Sequence, residues 1–148
     1  MFARLYHWWR RRRAEYWRSK AAQQTDPAKI LYACGRALAY WPDVATLLLR
    51  AGAYAQTGDL RAALADVQQA AHIAPESPDV YRLRADLRGE LHDVPGALAD
   101  YDQALALRPG DARALNNKGL LLAQSGRYAE ACTHYDEALR QDAYFVAA

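Results

Sequence analysis

Cysteine is scarce in this chain. Cys34 and Cys132 are its only two, far apart in sequence, so neither a disulfide framework nor a four-cysteine zinc site can be built. That scarcity fits a reduced, cytoplasmic compartment, which is the expected location. Long apolar runs are also missing: nothing approaches the roughly 20 residues that a membrane-spanning helix needs. The first 20 residues lack the apolar centre of a secretory leader, because charges and rings interrupt them throughout. The chain has no glycine-rich phosphate loop and no Gly-x-Ser-x-Gly elbow. His7, His72, His92 and His134 are scattered, none with a second metal ligand at helical spacing. No catalytic residue, metal or cofactor is therefore assigned, and an enzyme is not expected. The chain is not short of apolar surface. Of its 148 residues 52% are hydrophobic, enough for a folded domain and too many for a disordered chain.

The net charge of +2 is unevenly distributed. Residues 1–20 hold seven basic side chains against Glu15 alone, while the remainder is mildly acidic. A basic arm precedes an acidic body.

The body repeats itself with a period of 34 residues over the windows 44–77, 78–111 and 112–145. Ala63, Ala97 and Ala131 share one column, and Ala70, Ala104 and Ala138 a second. Val67, Tyr101 and Tyr135 share a third, Leu47, Tyr81 and Leu115 a fourth, and Ala51, Ala85 and Gly119 a fifth. Each window has two apolar stretches of helical period around a break: Thr57-Gly58-Asp59, Leu91-His92-Asp93 or Ser125-Gly126-Arg127. Glycine ends a helix cheaply by accepting positive φ, and an aspartate after it caps the next. His92 stands where the other two copies have glycine. Small columns predict close helix approach, and Cys34 and Cys132 fall by register on inner faces. Asp100 and Asp102, two apart on one helix, point to different sides and are expected to be solvated.

These windows resemble tetratricopeptide repeats. The second halves carry the resemblance best, with Ala63-x3-Val67, Ala97-x3-Tyr101 and Ala131-x3-Tyr135. The first halves depart from it. Arg50, Arg84 and Lys118 occupy the leucine slot, and Tyr54, Arg88 and Leu122 the tyrosine slot. A degenerate copy precedes them in residues 1–43, with a long basic helix over about 3–23 and a second over 27–40, begun by Asp26-Pro27. Ala143-Tyr144-Phe145-Val146 reads as the opening of a further repeat, and residues 146–148 as an uncapped end available for self-association. The implied fold is all-α, an α-solenoid of antiparallel helix pairs, about eight helices long.

The resemblance implies a non-catalytic scaffold that binds a partner protein or peptide in a groove lined by first helices. It turns Leu48 and Leu49 inward as an apolar stretch. Arg82, Arg113, Asn116, Asn117 and Gln124 become the peptide-binding set, with arginines for carboxylates and amides for backbone. Some repeats of this type clamp a terminal carboxylate, but Asp79 and Asp86 have the wrong charge for that cluster. In the arm, Phe2, Leu5, Tyr6, Trp9, Tyr16 and Trp17 form an aromatic stripe beside Arg10, Arg11, Arg12 and Arg13. Three roles fit: the stripe caps the first full repeat, or residues 1–20 contact an anionic membrane, or they contact nucleic acid.

Overall fold

The computed structural model describes the backbone of residues 2–146 and the side chains of 4–141. All regular structure among the described residues is helical. The helices are α1 (Phe2–Ala22), α2 (Pro27–Tyr40), α3 (Val44–Gln56), α4 (Leu60–Ile73), α5 (Pro78–Glu90), α6 (Val94–Leu107), α7 (Ala112–Gln124) and α8 (Tyr128–Val146). None of them is long and apolar enough to cross a membrane. Two compact units divide the chain, Met1–Pro75 and Glu76–Ala148. In the first, α1 packs on α2, α2 on α3 and α3 on α4; in the second, α5 packs on α6, α6 on α7 and α7 on α8.

The starts and stops have local causes. Asp26, Asp43, Asp59, Asp93 and Asp111 each cap the following helix by accepting a backbone N–H within its first turn. Between paired helices, Gly58 and Gly126 take φ of 83° and 77°, and His92 takes 63° at the equivalent place. The histidine thus adopts the left-handed turn its copies give to glycine. One expectation fails at the other end. Residues 143–146 continue α8 and open no new helix. The side chains of 142–148 lie outside the described residues, and with them any self-associating surface there.

The small columns are where the helices touch. Ala63, Ala70, Ala97 and Ala104 are fully buried, and Ala131 and Ala138 nearly so. At the fifth column glycine replaces alanine in the third copy. A Cβ on Gly119 would lie 2.8 Å from the Tyr135 ring, so the ring takes that methyl's place. In the first unit Ala21, Ile30, Ala33, Cys34 and Ala53 form a cluster, with Trp17 and Leu49 packed on it. Burial pushes the Cys34 thiol up to about 11, so it stays protonated. Cys132, by contrast, is exposed.

The departures in the first halves have a common explanation. Arg50 grips the buried Asp66 with two hydrogen bonds of 2.6 and 2.7 Å. One repeat later Arg84 grips Asp100 at 2.7 and 2.9 Å, and Arg88 adds a third bond at 2.7 Å. Asp100 is therefore buried among guanidinium groups, contrary to the solvated role its spacing suggested; Asp102 is exposed. The third copy puts Lys118 and His134 in the corresponding positions, and both would be cationic when protonated. Lys118 turns instead to Asp102, at 2.6 Å. His134 is left with a buried Nδ1 that has no hydrogen-bond partner.

Burial, and secondarily Lys118, hold the His134 imidazole below its usual value of 6.5, against weaker pulls from Glu137, Asp102 and Glu130. The unfolded chain therefore takes up this proton at a higher pH than the folded chain does. His134 adds stability above about 6.5, and that contribution is lost as the pH falls toward the folded-state value. Denaturant midpoints for the parent and His134→Gln should converge as the pH drops through this window. A constant difference would contradict the assignment.

Candidate functional site

The second unit carries the best-formed site. Its first element, α5, presents Asp79, Arg82, Asp86 and Glu90 along one face, at helical spacing. Arg82 is mostly covered and already surrounded by carboxylates. Its guanidinium lies 3.6 Å from Asp79, 3.5 Å from Asp86 and 4.0 Å from Asp111. Arg108, at the end of α6, closes the same cluster with bonds of 3.1 and 3.2 Å to Asp79 and one of 3.3 Å to Asp111. Arg108 holds the Asp79 carboxyl below the usual range. Arg82 is held electrostatically among these carboxylates, without a hydrogen bond to any of them among the described residues. A ligand carboxylate, the partner that the resemblance implied for this arginine, would compete with these three internal ones.

Asp86 is the hinge of the site. It accepts a 2.5 Å hydrogen bond from the Tyr101 hydroxyl on α6 and one of 3.0 Å from the Asn117 amide on α7. Three helices thus meet at one carboxylate. Burial and then the Asp86 bond push the Tyr101 phenol well above its ordinary value, so it remains a donor at all physiological pH.

Above this junction lies an open hollow of about 550 Å³ between α5 and α7, within the size range of ligand pockets. Glu90 and His92 border it on one side, Asn117, Leu120 and Gln124 on the other, and Tyr101 beneath. Glu90 has no cationic partner among the described residues, so the hollow is net acidic. Leu120 is an exposed apolar contact, and Gln124 an exposed amide able to donate and accept.

Of the residues the sequence singled out, the fold brings Asn117 and Gln124 to this hollow and sets Arg82 one ion pair behind it. Asn116 faces a smaller hollow of about 320 Å³ with Tyr135 and Leu139. Arg113 is exposed at the start of α7, its backbone N–H bonded to Asp111 at 3.1 Å. The sequence missed Tyr101, read only as a repeat column, and His92, read only as a turn. Their signal is positional: His92 lies in the turn after α5, and Tyr101, about two turns into α6, faces back across the helix pair to Asp86.

In the first unit, Leu48 and Leu49 are both partly buried, and Leu49 packs against the core cluster. The arm differs most from expectation. The face of α1 that packs is Arg10, Ala14, Trp17 and Ala21, with Ala14 and Ala21 buried. Of the stripe, Trp17 takes part in covering the core cluster, together with Ala21. Leu5, Tyr6, Trp9 and Tyr16 are exposed, as is Trp8, and the Phe2 side chain lies outside the described residues. Arg10 donates to the Ala39 carbonyl at 3.3 Å, and Arg11 lies 3.5 Å from Glu15. Arg12 and Arg13 lie over the Trp8 and Trp9 rings.

Residues 82–144 match the family model described as tetratricopeptide repeat. That stretch, somewhat less than half of the chain, is similar to tetratricopeptide repeats. Solved structures show how far the fold extends beyond that match. MamA superposes with a TM-score of 0.76 at 17% identity, over 82% of this chain and 72% of that one. A tetratricopeptide repeat protein from Parabacteroides merdae gives 0.77 at 24% identity, over 87% of this chain and 53% of that one. YrrB, a repeat protein with an unusual peptide-binding site, gives 0.70 at 16% identity, over 78% and 60%. The present chain thus spans little more than half of the latter two. At these identities the likeness is one of fold: an all-α solenoid class built of antiparallel helix pairs, whose repeats serve generally as scaffolds for protein contacts. No curated protein matches the sequence.

Proposed function

We propose that the chain is a non-catalytic scaffold that holds an extended partner peptide in the hollow between α5 and α7. The observation that carries this reading is the junction at Asp86. It fixes Asn117 in place through one amide N–H and leaves the rest of that amide for a ligand, beside Gln124 and Leu120. Pre-positioned amides suit a peptide backbone, because less side-chain freedom is lost on binding. The uncompensated Glu90 favours a peptide with a lysine or arginine near that end. YrrB's peptide-binding site is a precedent on the same fold.

Peptides selected from a random display library against the full chain supply the probe. Asn117→Ala and Gln124→Ala should each weaken the selected peptide by up to about tenfold, the upper range for a neutral hydrogen bond. Arg113→Ala should leave affinity within about twofold, since an exposed charge away from the hollow contributes little. Isotherms for both amide variants that overlay the parent would remove the hollow from consideration.

A further inference from the structure

The outward face of α1 has no role in the scaffold reading, and it is unlike the rest of the surface. Leu5, Trp9, Arg12 and Tyr16 recur at steps of four, three and four, on the side away from Ala14 and Ala21. Trp8 adjoins them, and 58% of its surface is exposed. Four cation–ring pairs run along the helix at the same four-residue spacing. Arg10 lies over Tyr6, Arg12 over Trp8, Arg13 over Trp9 and Lys20 over Tyr16, at 5.4 to 5.9 Å from the ring centres. Among the described residues Arg4, Arg12, Arg13 and Lys20 have no carboxylate partner, whereas Arg11 and Arg18 do. A shallow cleft of about 490 Å³ lies between Trp8, Trp9 and Tyr16, with Arg12 and Arg13 at its edge.

We propose that α1 lies flat on an anionic phospholipid surface, its exposed indoles at headgroup depth and its unpaired guanidiniums on lipid phosphates. The charge is complementary, and tryptophan, tyrosine and arginine together are the side chains that favour this interface. A 21-residue helix is about 30 Å long, so its outward face meets a bilayer along its whole length. Each cation lies over one face of its ring and leaves the other open. The choice of lipid over nucleic acid rests on the exposed Leu5 in line with the rings, an apolar side chain that suits a headgroup interface and offers a base no stacking surface. The cleft matches a headgroup in kind, an apolar floor with two cations at its rim.

The test is co-sedimentation of the full chain with vesicles of phosphatidylcholine alone and of phosphatidylcholine mixed with phosphatidylserine. Binding is expected only to the mixed vesicles, weakening with salt. Each basic residue near such a surface accounts for about fivefold in partitioning, so Arg12→Gln with Arg13→Gln should lower it about thirtyfold. Trp8→Ala with Trp9→Ala should lower it by at least about tenfold, through lost apolar contact. Circular dichroism should be unchanged in both, because the replaced side chains are exposed. Failure of the parent to bind the mixed vesicles overturns the proposal, as does binding that neither double variant weakens. Binding to single-stranded oligonucleotide in preference to the mixed vesicles also overturns it and assigns the face to nucleic acid.

Discussion

Replacing Asp100 with alanine should cost about 3–5 kcal/mol of stability, the range for breaking a buried ion pair by removing one partner. Asp100 is 4% exposed and receives three hydrogen bonds of 2.7 to 2.9 Å from Arg84 and Arg88. Without it, the largely covered Arg84 loses its carboxylate and must pull out to water or remain uncompensated, while Arg88 keeps only Asp93 at 3.7 Å and the Gly96 carbonyl at 3.3 Å. The same reasoning predicts a rescue. Arg84→Leu and Arg88→Tyr, added to Asp100→Ala, restore the apolar residues that a tetratricopeptide repeat has in those slots and remove every stranded charge. Replacing a buried ionic group wholesale by apolar residues is often neutral or better, so the triple variant should regain most of the loss. Urea denaturation read by circular dichroism measures both. A single variant within about 0.5 kcal/mol of the parent would show the network to be as inconsequential as an ordinary surface pair.

Ala97→Leu should cost about 1–3 kcal/mol, the usual range for forcing methylenes into a filled site. Ala97 is fully buried and packs with Ala85, Tyr101, Ala114 and Leu121. Three added carbons there must push α6 from α5. Ala106→Leu, on the exposed side of the same helix, is the matched control and should stay within about 0.5 kcal/mol of the parent. Equal effects at the two positions would mean that the repeat register is misassigned.

The fold was legible because a repeat states its contacts several times over. Columns of alanine mark the close approaches, aspartates mark the helix starts, and His92 between two glycine-bearing copies identifies a left-handed turn. The buried ion pairs were legible in principle as well. Arg50 and Asp66 recur as Arg84 and Asp100 with the same separation and the 34-residue period. The spacing of Asp100 from Asp102 shows only that they point apart, not that a neighbouring helix brings two arginines to one of them. The arm misled for a related reason. Its large rings suggest a packing face, but close helix contact selects small residues, and Ala14 and Ala21 lie on the other side. Tyr6, Trp8, Trp9 and Tyr16 are paired with cations of their own helix, while Trp9 also meets Tyr40, and Trp17 Tyr32, edge to face across to α2. The site was half legible. Asn117 and Gln124 lie at the hollow, while the carboxylates around Arg82 include Asp111, which approaches from another turn of the chain and is shared with Arg108.

The central claim is that a partner peptide is held between α5 and α7. Titration of the isotopically labelled full chain with a display-selected peptide, followed by amide NMR, tests it most directly. The account predicts shifts in the side-chain amides of Asn117 and Gln124 and in the backbone amides of Gly89 and Leu120, with Arg113 and α1 unmoved. Shifts gathered around Asn116 and Leu139, or along α1, with Asn117 and Gln124 silent, would contradict it.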